Sequence, residues 1–282
     1  MTVDNLPSLR PPEFGEVRDA GRPILSYPWR SDGPHRVPPH SHARGHILHL
    51  EDGAYWVITA EARWLAATGH AIWIPPHVRH EVYSQGPVAA KVLFVDEAHA
   101  GSLPHRCGTL KVSGLLSELF RRAVEYENDY GTGGPEARLA GVLLDELAHA
   151  ELTPLMLPIS KEPRLALAMH CVIDDPSRHR DLGTIAKMAG ASPRTLARLF
   201  AGETGLTFTQ WKTRFVLIEA IDRLARGATV TQVAVDLGYS PSSFAYVFRT
   251  NLGVRPGHYA VAGRKGARTR ASARRGSARH RR

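Results

Sequence analysis

The chain has 282 residues, of which 43% are hydrophobic and 22% are charged, and its formal net charge is +9. This length suffices for two domains with separate cores, and the lack of an apolar run of 18 residues excludes a membrane-spanning helix. The N-terminus has no basic segment followed by an apolar one, so no secretion signal is expected. Two cysteines, Cys107 and Cys171, cannot form a disulfide framework, and we expect a protein of the reducing cytoplasm.

Charge is distributed unevenly along the chain. Residues 1–159 carry a net charge of −5, residues 160–262 carry +5 and residues 264–282 carry +9. An acidic first half and a basic second half indicate that only the second half meets a polyanion. The tail, residues 263–282, has no large apolar residue, so we predict a disordered basic segment. It is either a solubilising extension or, as we favour beside a basic domain, a nucleic-acid contact.

Short apolar runs characterise the first third of the chain. Residues 1–20 are rich in proline and are expected to be flexible. From residue 24 to residue 96 the runs ILSYPW, HILHL, AYWVI, AIWIPP and KVLFV are separated by turn signals such as EDG and TGH. This pattern is typical of antiparallel strands. We therefore predict an all-β domain over residues 21–110.

The hydrophobic period becomes helical after residue 113. One predicted helix carries Leu116 and Phe120, and a second starts at Pro135 and carries Leu143 and Leu147. Residues 111–152 are thus predicted to form a helical pair. Residues 153–163 contain three prolines and are predicted to be a linker.

The remaining segment, residues 164–262, is predicted to be all-helical and contains an internal repeat. IAKMAGASPRTLARLFAGETG starts at Ile185, and VAVDLGYSPSSFAYVFRTNLG starts at Val233, 48 residues later. Each copy has the pattern of a helix-turn-helix unit: a glycine for the turn, then a serine cap followed by proline at the first helical position. These positions are Gly190, Ser192 and Pro193 in the first copy and Gly238, Ser240 and Pro241 in the second.

The outward face of the second helix in each copy is left for a partner. Such a helix fits a DNA major groove about 12 Å wide. The helix predicted between the copies, residues 208–227, spans about 27 Å, which sets the two recognition helices near one DNA turn, about 34 Å, apart. We favour double-stranded DNA over a protein partner. The predicted contacts are Arg194, Ala197, Arg198, Ser242, Ser243, Tyr246 and Arg249.

Residues 159–259 resemble the DNA-binding domain of AraC-family transcription regulators. The resemblance covers about 100 residues and is most specific in the ending F-x3-F-x4-G-x2-P-x2-Y, which is formed by Phe244, Phe248, Gly253, Pro256 and Tyr259. The second turn, GYSPSSF, is one residue shorter than the usual form G-Y-x-S-P-S-x-F, so we expect a shifted second recognition helix. The resemblance implies a sequence-specific regulator that pairs as a homodimer through residues 111–152 and can contact RNA polymerase.

Members of this family commonly carry an N-terminal cupin-like barrel, and residues 24–96 resemble it. The first cupin motif, H-x-H-x3/4-E-x6-G, matches His40, His42, His46 in place of the acid, and Gly53. The second motif matches with His77 in place of glycine and with His80. In cupin metalloproteins these positions bind a divalent metal. The resemblance therefore implies His40, His42, His46 and His80 as candidate ligands.

The spacing of the histidines in PPHSHARGHILHLEDG, residues 38–53, gives the same expectation from the residues alone. Alternate residues of a strand share a face, so His40, His42 and His46 are predicted to point together into the barrel, where His80 joins them from a later strand. Neutral imidazoles suit zinc, nickel, iron or copper. Because open zinc sites more often keep three protein ligands, we expect one histidine to support the others.

Two alternatives remain for these histidines: walls of an organic-effector pocket without metal, or residues with a purely structural role. Trp56 and Trp73 are predicted to line an apolar pocket wall. The other histidines of the region, His35, His49, His70 and His77, are predicted to lie at the surface or the rim.

The predicted fold class is an α+β multidomain protein. An antiparallel, cupin-like β-barrel with a helical dimerisation pair precedes an all-α domain with two helix-turn-helix units. We expect a transcription regulator, not an enzyme, whose barrel senses a small molecule or a metal ion. Two other classes are disfavoured: a cupin metalloenzyme fused to a DNA-binding domain, and an architectural DNA binder driven by the basic tail.

Overall fold

The computed structural model describes residues 6–126, 128–178 and 181–259. It divides into two compact units, residues 1–156 and residues 157–282. The predicted disordered tail, residues 263–282, lies outside the described residues, as do residues 1–5 of the N-terminal segment. No helix within the described ranges is long and apolar enough to cross a membrane.

Two facing β-sheets form the centre of the first unit. The six-stranded sheet has the order β1-β8-β3-β6-β9-β10, and the five-stranded sheet has the order β11-β5-β4-β7-β2. The strands are β1 (Ile24–Ser31), β2 (His35–His40), β3 (Gly45–Asp52), β4 (Ala54–Ile58), β5 (Ala62–Ala67), β6 (His70–Ile74), β7 (His80–Ser84), β8 (Val88–Val95), β9 (Gly108–Lys111), β10 (Leu152–Thr153) and β11 (Met156–Pro158). The predicted antiparallel β fold is confirmed, but the described strands pair as two sheets and not as one closed barrel.

Proline residues shape the edge strand β2, where the first histidine lies. β2 pairs with β7 in a register that shifts between Val37 and His40, because Pro38 and Pro39 have no N–H to donate to the ladder. After the shift His40 lies opposite His80. The irregularity thus brings two of the predicted ligands face to face.

Residues 6–17, part of the segment 1–20 that was expected to be flexible, lie against this edge. The N–H of Leu9 donates to the Arg36 carbonyl at 2.8 Å, and the N–H of Arg36 donates to the Pro7 carbonyl at 2.9 Å. Further along, a short 3-10 helix, Glu13–Glu16, carries Phe14, whose ring stacks on Tyr27 at 5.5 Å. The segment supplies partners for the backbone of an edge strand, and this is why it is held in place.

The predicted helical pair is present as α1 (Gly114–Ala123) and α2 (Pro135–Ala148). The Ser113 side chain caps α1 by accepting from the N–H of Leu116, and Pro135 occupies the first turn of α2. Both helices pack on the six-stranded sheet through a core that includes Ile47, Trp73, Phe120 and Leu143. β3 is therefore buried on both faces.

The predicted linker, residues 153–163, is partly folded into the sheets. β10 pairs with β9, and the Leu155 carbonyl accepts from the N–H of Leu65 at 3.0 Å. Leu155 itself is buried. The prolines at positions 154 and 158 suit short edge strands, so a proline-rich sequence here does not mark a free linker.

Beyond β11, whose last two residues belong to it, the second unit contains helices as its only regular elements among the described residues. Its helices are α3 (Pro163–Ile173), α4 (Leu182–Met188), α5 (Pro193–Thr204), α6 (Phe208–Ala225), α7 (Val230–Asp236) and α8 (Pro241–Leu252). Trp211 on α6 is buried, stacks with Phe215 and donates through Nε1 to the Pro158 carbonyl at 2.9 Å. The repeat predicted from the sequence thus consists of α4–α5 and α7–α8, joined by α6.

Candidate effector and DNA-binding sites

The structure brings the four candidate histidines of the first unit together. The ring centroids of His40 and His80 lie 4.4 Å apart, those of His42 and His80 lie 5.1 Å apart, and those of His42 and His46 lie 5.2 Å apart. The predicted reason for this convergence is wrong, however. His42 lies in the loop between β2 and β3, and His46 lies on a strand of the other sheet, so the rings meet across the sheets and not along one strand.

Three of these rings are oriented by backbone carbonyls. Nδ1 of His40 bonds to the Pro38 carbonyl at 2.8 Å, Nδ1 of His42 to the Arg44 carbonyl at 2.6 Å, and Nδ1 of His80 to the Val78 carbonyl at 2.8 Å. A carbonyl only accepts, so each Nδ1 carries the proton and each Nε2 of the neutral ring carries a lone pair. Among the described residues none of these three buried Nε2 atoms has a hydrogen-bond partner.

Burial keeps these imidazoles in the neutral form. Desolvation lowers the pKa of His80 to about 3 and also lowers the pKa values of His40 and His42 below the ordinary value of 6.5. A neutral imidazole is the state in which histidine binds a metal. The cluster therefore presents three ligand atoms in the correct protonation state at neutral pH.

The donor set of His40, His42 and His80 fits a divalent transition metal. One ring nitrogen from each lies within 4.8 Å of the others. Metal-bound histidines usually donate their second ring N–H to a carbonyl or carboxylate, and all three do so here.

His46 differs from the other three rings. It lies on β3, is buried, and stacks on Phe94 with ring centroids 4.6 Å apart and planes inclined by 14°. Both of its ring nitrogens are without a hydrogen-bond partner in the described part of the chain. The pKa of His46 lies well below the ordinary value of 6.5, chiefly because burial desolvates the ring.

A cavity of about 450 Å³ lies beside the cluster. His40 and His46 line one part of its wall, and most other lining groups are apolar or aromatic, among them Phe14, Tyr27, Trp29, Leu48, Tyr55 and Val82. The N-terminal segment contributes to the wall, so the part of the chain expected to be flexible helps to build the site. The sequence feature that could have indicated this packing is the set of apolar residues among the prolines, Leu9, Phe14 and Val17.

Trp56 and Trp73, predicted to line the pocket, are not brought to this cavity. Tyr55 faces the cavity, and the next residue of β4, Trp56, therefore points to the other side of the sheet, where it stacks with Tyr83. Trp73 belongs to the core under α1 and α2, and its Nε1 donates to the Pro104 carbonyl at 2.7 Å. The aromatic residues that line the cavity are Phe14, Tyr27, Trp29 and Tyr55 instead.

Two histidines expected at the surface or rim are buried. His35 lines the cavity, and its Nε2 bonds to the Tyr55 hydroxyl at 2.8 Å. His49 points to the opposite face of the six-stranded sheet and stacks on Phe120 at 4.8 Å. By contrast, the His77 side chain is 57% exposed, in agreement with the expectation.

The N-terminal segment also fixes the loop that carries His42. A β-carbon at Gly15 would lie 2.6 Å from Cγ of His42, so only glycine permits this close approach. Arg44, fully buried, donates to the Val17 and Asp19 carbonyls at 2.7 and 2.9 Å and pairs with Asp96 at 3.2 Å. Neither Gly15 nor Arg44 was predicted from the sequence to belong to the site.

In the second unit, the predicted DNA contacts lie on the solvent faces of α5 and α8. Leu196 and Phe200 bury the inner face of α5, and Phe244 and Phe248 bury that of α8. The exposed set comprises all seven predicted residues, Arg194, Ala197 and Arg198 on α5 and Ser242, Ser243, Tyr246 and Arg249 on α8. Both helices can therefore present these side chains to a groove.

The short second turn keeps the geometry of the first turn. Gly190 and Gly238 both have positive φ, of 64° and 78°. The N–H of Ala191 donates to the Ala186 carbonyl at 2.9 Å, and the N–H of Tyr239 donates to the Ala234 carbonyl at 2.8 Å. The two turns of the repeat therefore have the same local geometry, and the shift expected relative to the family's usual form stays a prediction.

Comparisons with known proteins agree with this arrangement. Residues 27–150 match the model of an AraC-like ligand binding domain, and residues 185–261 match that of a helix-turn-helix domain. The HTH-type transcriptional regulator NimR of Escherichia coli (strain K12) is 34% identical over 223 residues, which cover 79% of this chain and 81% of NimR. The HTH-type transcriptional regulator RipA of Corynebacterium glutamicum is 30% identical over 183 residues, which cover 60% of this chain and 54% of RipA.

Among solved structures, unsaturated fatty acid bound wild-type ToxT from Vibrio cholerae aligns with a TM-score of 0.36 at 13% identity, covering 86% of this chain and 97% of ToxT. The identity to NimR extends over most of both chains, and the two domain models match in the order of the two units. The chain therefore belongs to the AraC family of transcription regulators, with an N-terminal ligand-binding domain and a C-terminal helix-turn-helix DNA-binding domain.

Proposed function

We propose that this regulator responds to a small-molecule effector in the cavity of its first unit, beside a divalent transition metal held by His40, His42 and His80. The observation that supports the metal most directly is the set of three buried Nε2 lone pairs, each oriented by a bond from Nδ1 to a backbone carbonyl. Zinc, nickel, iron and copper all suit such a donor set.

The metal would supply a Lewis-acidic positive charge at one end of an otherwise apolar cavity. The chain's own residues define the rest of the site. Trp29, Tyr55 and Leu48 offer apolar surface to the effector, and Phe14 closes the wall from the N-terminal segment. Effector binding in this cavity would then bias the DNA-binding activity of the second unit.

Metal analysis tests the proposal. The full chain is purified without a histidine tag or chelator, and its metal content is measured by mass spectrometry beside the variants His42→Gln and His49→Gln. We expect about one equivalent of one transition metal in the wild type and in His49→Gln, which changes a buried histidine outside the cluster, and none in His42→Gln. Metal-free wild type that cannot be loaded would make the histidines walls of a purely organic pocket.

We further propose that α1 and α2 pair two copies into a homodimer. Leu115 on α1 and Val142 on α2 are large apolar side chains that are 54% and 47% exposed on these helices, and exposed apolar residues on adjacent helices suit such an interface. Light scattering of the double variant Leu115→Asp, Val142→Asp should give a monomer mass where the wild type gives a dimer mass. A wild type that is monomeric at micromolar concentration would refute the pairing.

The remaining proposals concern location and partners. We propose that the protein acts in the cytoplasm, that it contacts RNA polymerase at its promoters, and that it has no catalytic activity. Membership of a regulator family and two free cysteines support these statements. Dioxygen consumption by the metal-loaded protein in the presence of a cavity ligand would contradict the last of them.

A further inference from the structure

We infer that Tyr246 on α8 selects a thymine in the major groove of DNA through the methyl group of that base. At the matched position of the repeat, the two DNA segments read by α5 and α8 therefore carry different bases. The inference goes beyond the DNA-binding function, which the family shows, and names a residue that determines sequence specificity. It is independent of the effector and the metal proposed for the first unit.

Tyr246 exposes a large apolar surface on the outer face of α8. It is 67% exposed, compared with 57% for Val235, which is also an exposed apolar residue of the second unit. It lies between Phe244 and Phe248, which are both buried against the domain, so the Tyr246 side chain projects outward. Covering such a ring is favourable. Because the unit is a DNA-binding domain, DNA is the partner that covers it.

The internal repeat places Tyr246 at the position that Arg198 occupies on α5. Each residue stands six positions after the serine that caps its helix, Ser192 for α5 and Ser240 for α8. In both copies the cap serine accepts from the backbone N–H three residues later, and the two preceding turns have the same local geometry. The two side chains therefore occupy equivalent places on their recognition helices, but one is a guanidinium and the other is a phenol ring.

The side chains that precede Tyr246 on α8 are short, and two of them are engaged in the cap. The hydroxyl of Ser242 lies 3.2 Å from Oγ of Ser240, and Oγ of Ser243 accepts from Oγ of Ser240 at 2.9 Å. On α5, the position matched to Ser242 carries the long side chain of Arg194 instead. Tyr246 is therefore the first long, exposed side chain along α8.

The chemistry of tyrosine decides which base it selects. Its hydroxyl both donates and accepts, and every base pair offers a donor or an acceptor in the major groove, so the hydroxyl alone does not discriminate among bases. The ring does, because the methyl group of thymine is the only apolar group on these edges. A guanidinium pairs instead with O6 and N7 of guanine. The matched position thus favours guanine for Arg198 and thymine for Tyr246.

Removal of single methyl groups from DNA tests the inference. A duplex is selected from a random library with the full chain, and each of its thymines is replaced in turn by deoxyuridine, which pairs identically but lacks the methyl group. Fluorescence anisotropy then measures the affinities of the wild type, Tyr246→Ala, Tyr246→Phe and Val235→Ala. We expect one replacement to weaken binding by the wild type about fourfold, as the loss of one buried methyl group implies.

The variants should separate the ring from the hydroxyl. Tyr246→Ala should bind the selected duplex more weakly than the wild type, and the critical deoxyuridine replacement should have no further effect on it. Tyr246→Phe keeps the ring and should keep the fourfold effect. Val235→Ala shortens an exposed apolar side chain on α7 and should behave as the wild type. A separate selection with Tyr246→Arg should give guanine where the wild type selects thymine.

Four outcomes would overturn the inference. A wild type that is insensitive to every methyl group, or a fourfold effect that persists in Tyr246→Ala, would show that the ring does not read thymine. If Tyr246→Phe loses as much affinity as Tyr246→Ala, the hydroxyl makes the contact. Full affinity of Tyr246→Ala for the selected duplex would remove the residue from the DNA interface and assign its ring to a protein partner. Thymine retained in the selection with Tyr246→Arg would assign the choice of base to another residue.

Discussion

His49 is buried against Phe120 on the outer face of the six-stranded sheet, and burial lowers its pKa to about 4. In the unfolded chain the same group titrates near 6.5. Below that pH the unfolded state binds more protons than the folded state, so the free energy of unfolding falls as the pH falls from about 6.5, until the loss levels off near pH 4. Between about pH 7.5 and pH 5.5 this one group should remove about 1–1.5 kcal/mol.

Replacing His49 by Phe should abolish this contribution. Urea denaturation followed by tryptophan fluorescence is the suitable measurement, because four of the five tryptophans lie in the first unit. The loss of stability on acidification should be smaller in His49→Phe than in the wild type by the stated amount. His149→Phe, which changes an exposed histidine on the same unit, serves as the control and should follow the wild type. An unchanged pH dependence in His49→Phe would refute the assignment.

At the same scale, the sequence predicted which histidines gather but not how they do so. Motif spacing identified His40, His42, His46 and His80. The expectation that His40, His42 and His46 share one face of a single strand was wrong, because the chain turns between β2 and β3. Burial of His49 was missed because an imidazole suits both surface and core. The burial of His49 was nevertheless indicated by its position next to Leu48 on β3. This strand is covered by helices on one face and by the second sheet on the other, so both of its faces are buried.

The turn between β6 and β7 contains the only non-glycine residue with positive φ among those described, His77 at 63°. The cupin pattern, which residues 24–96 resemble, has glycine at this position, and glycine is the residue that a left-handed backbone favours. A β-carbon in that region costs about 1–2 kcal/mol, and the unfolded chain gains entropy with glycine. We expect His77→Gly to raise the free energy of unfolding by about 0.5–1 kcal/mol.

The contact between Nε2 of His77 and the Glu97 carboxylate at 3.2 Å is exposed and should contribute little. His77→Ala provides the control, since it removes the same contact but keeps the β-carbon. Chemical denaturation at neutral pH should therefore rank His77→Gly above the wild type and leave His77→Ala equal to it or below it. A destabilised His77→Gly would mean that the side chain stabilises the turn by more than its strain costs.

The next prediction concerns α5, the first recognition helix of the DNA-binding domain. Arg198 is exposed on α5 and faces away from buried Leu196 and Phe200. Its replacement by Ala should weaken operator binding by about 1–3 kcal/mol if it reads a base edge or a phosphate. Fluorescence anisotropy with a duplex selected from a random library and with its scrambled version separates the two roles.

An equal loss on both duplexes would assign Arg198 to phosphate, and a larger loss on the selected duplex would assign it to a base. Arg164→Ala removes the same charge from an exposed position of α3 and is the matched control, for which a small effect is expected. Full affinity of Arg198→Ala on the selected duplex would exclude the residue from the interface.

Helices were predictable here for local reasons. Ser192, Thr207 and Ser240 cap α5, α6 and α8 as their sequence suggests, and the apolar period gives the buried faces. The strands β10 and β11 and the fold of residues 6–17 were missed because their partners, β9, β5 and β2, lie far away in the sequence. Edge pairing depends on tertiary contacts that no short window of sequence contains.

For the whole molecule, the change from strand period to helical period lies near residue 113, inside the first unit, whereas the boundary after Met156 falls in the proline-rich segment 153–163. The repeat predicted the DNA-binding half. The arrangement of the strands as two sheets did not follow from these signals. Hydrophobic alternation gives each strand a face but does not name its neighbour. The cavity could not be predicted either, since it depends on the N-terminal segment lying against β2.

Charge distribution gives the last prediction, at the scale of the entire chain. The segment 264–282 carries nine of the 36 basic residues and no acid, so its removal changes the formal net charge from +9 to zero. Non-specific affinity for DNA depends on the number of phosphates neutralised, and its logarithm falls with the logarithm of salt by about 0.9 per contact. Truncation after Gly263 should therefore weaken binding to a random duplex by more than tenfold at about 50 mM salt and flatten its salt dependence. Sequence preference should persist, because the exposed side chains predicted to reach base edges lie on α5 and α8. Anisotropy titrations of both proteins on selected and scrambled duplexes, at several salt concentrations, measure the salt dependence of binding and the sequence preference. A truncated protein with altered sequence preference would show that the tail itself reads DNA.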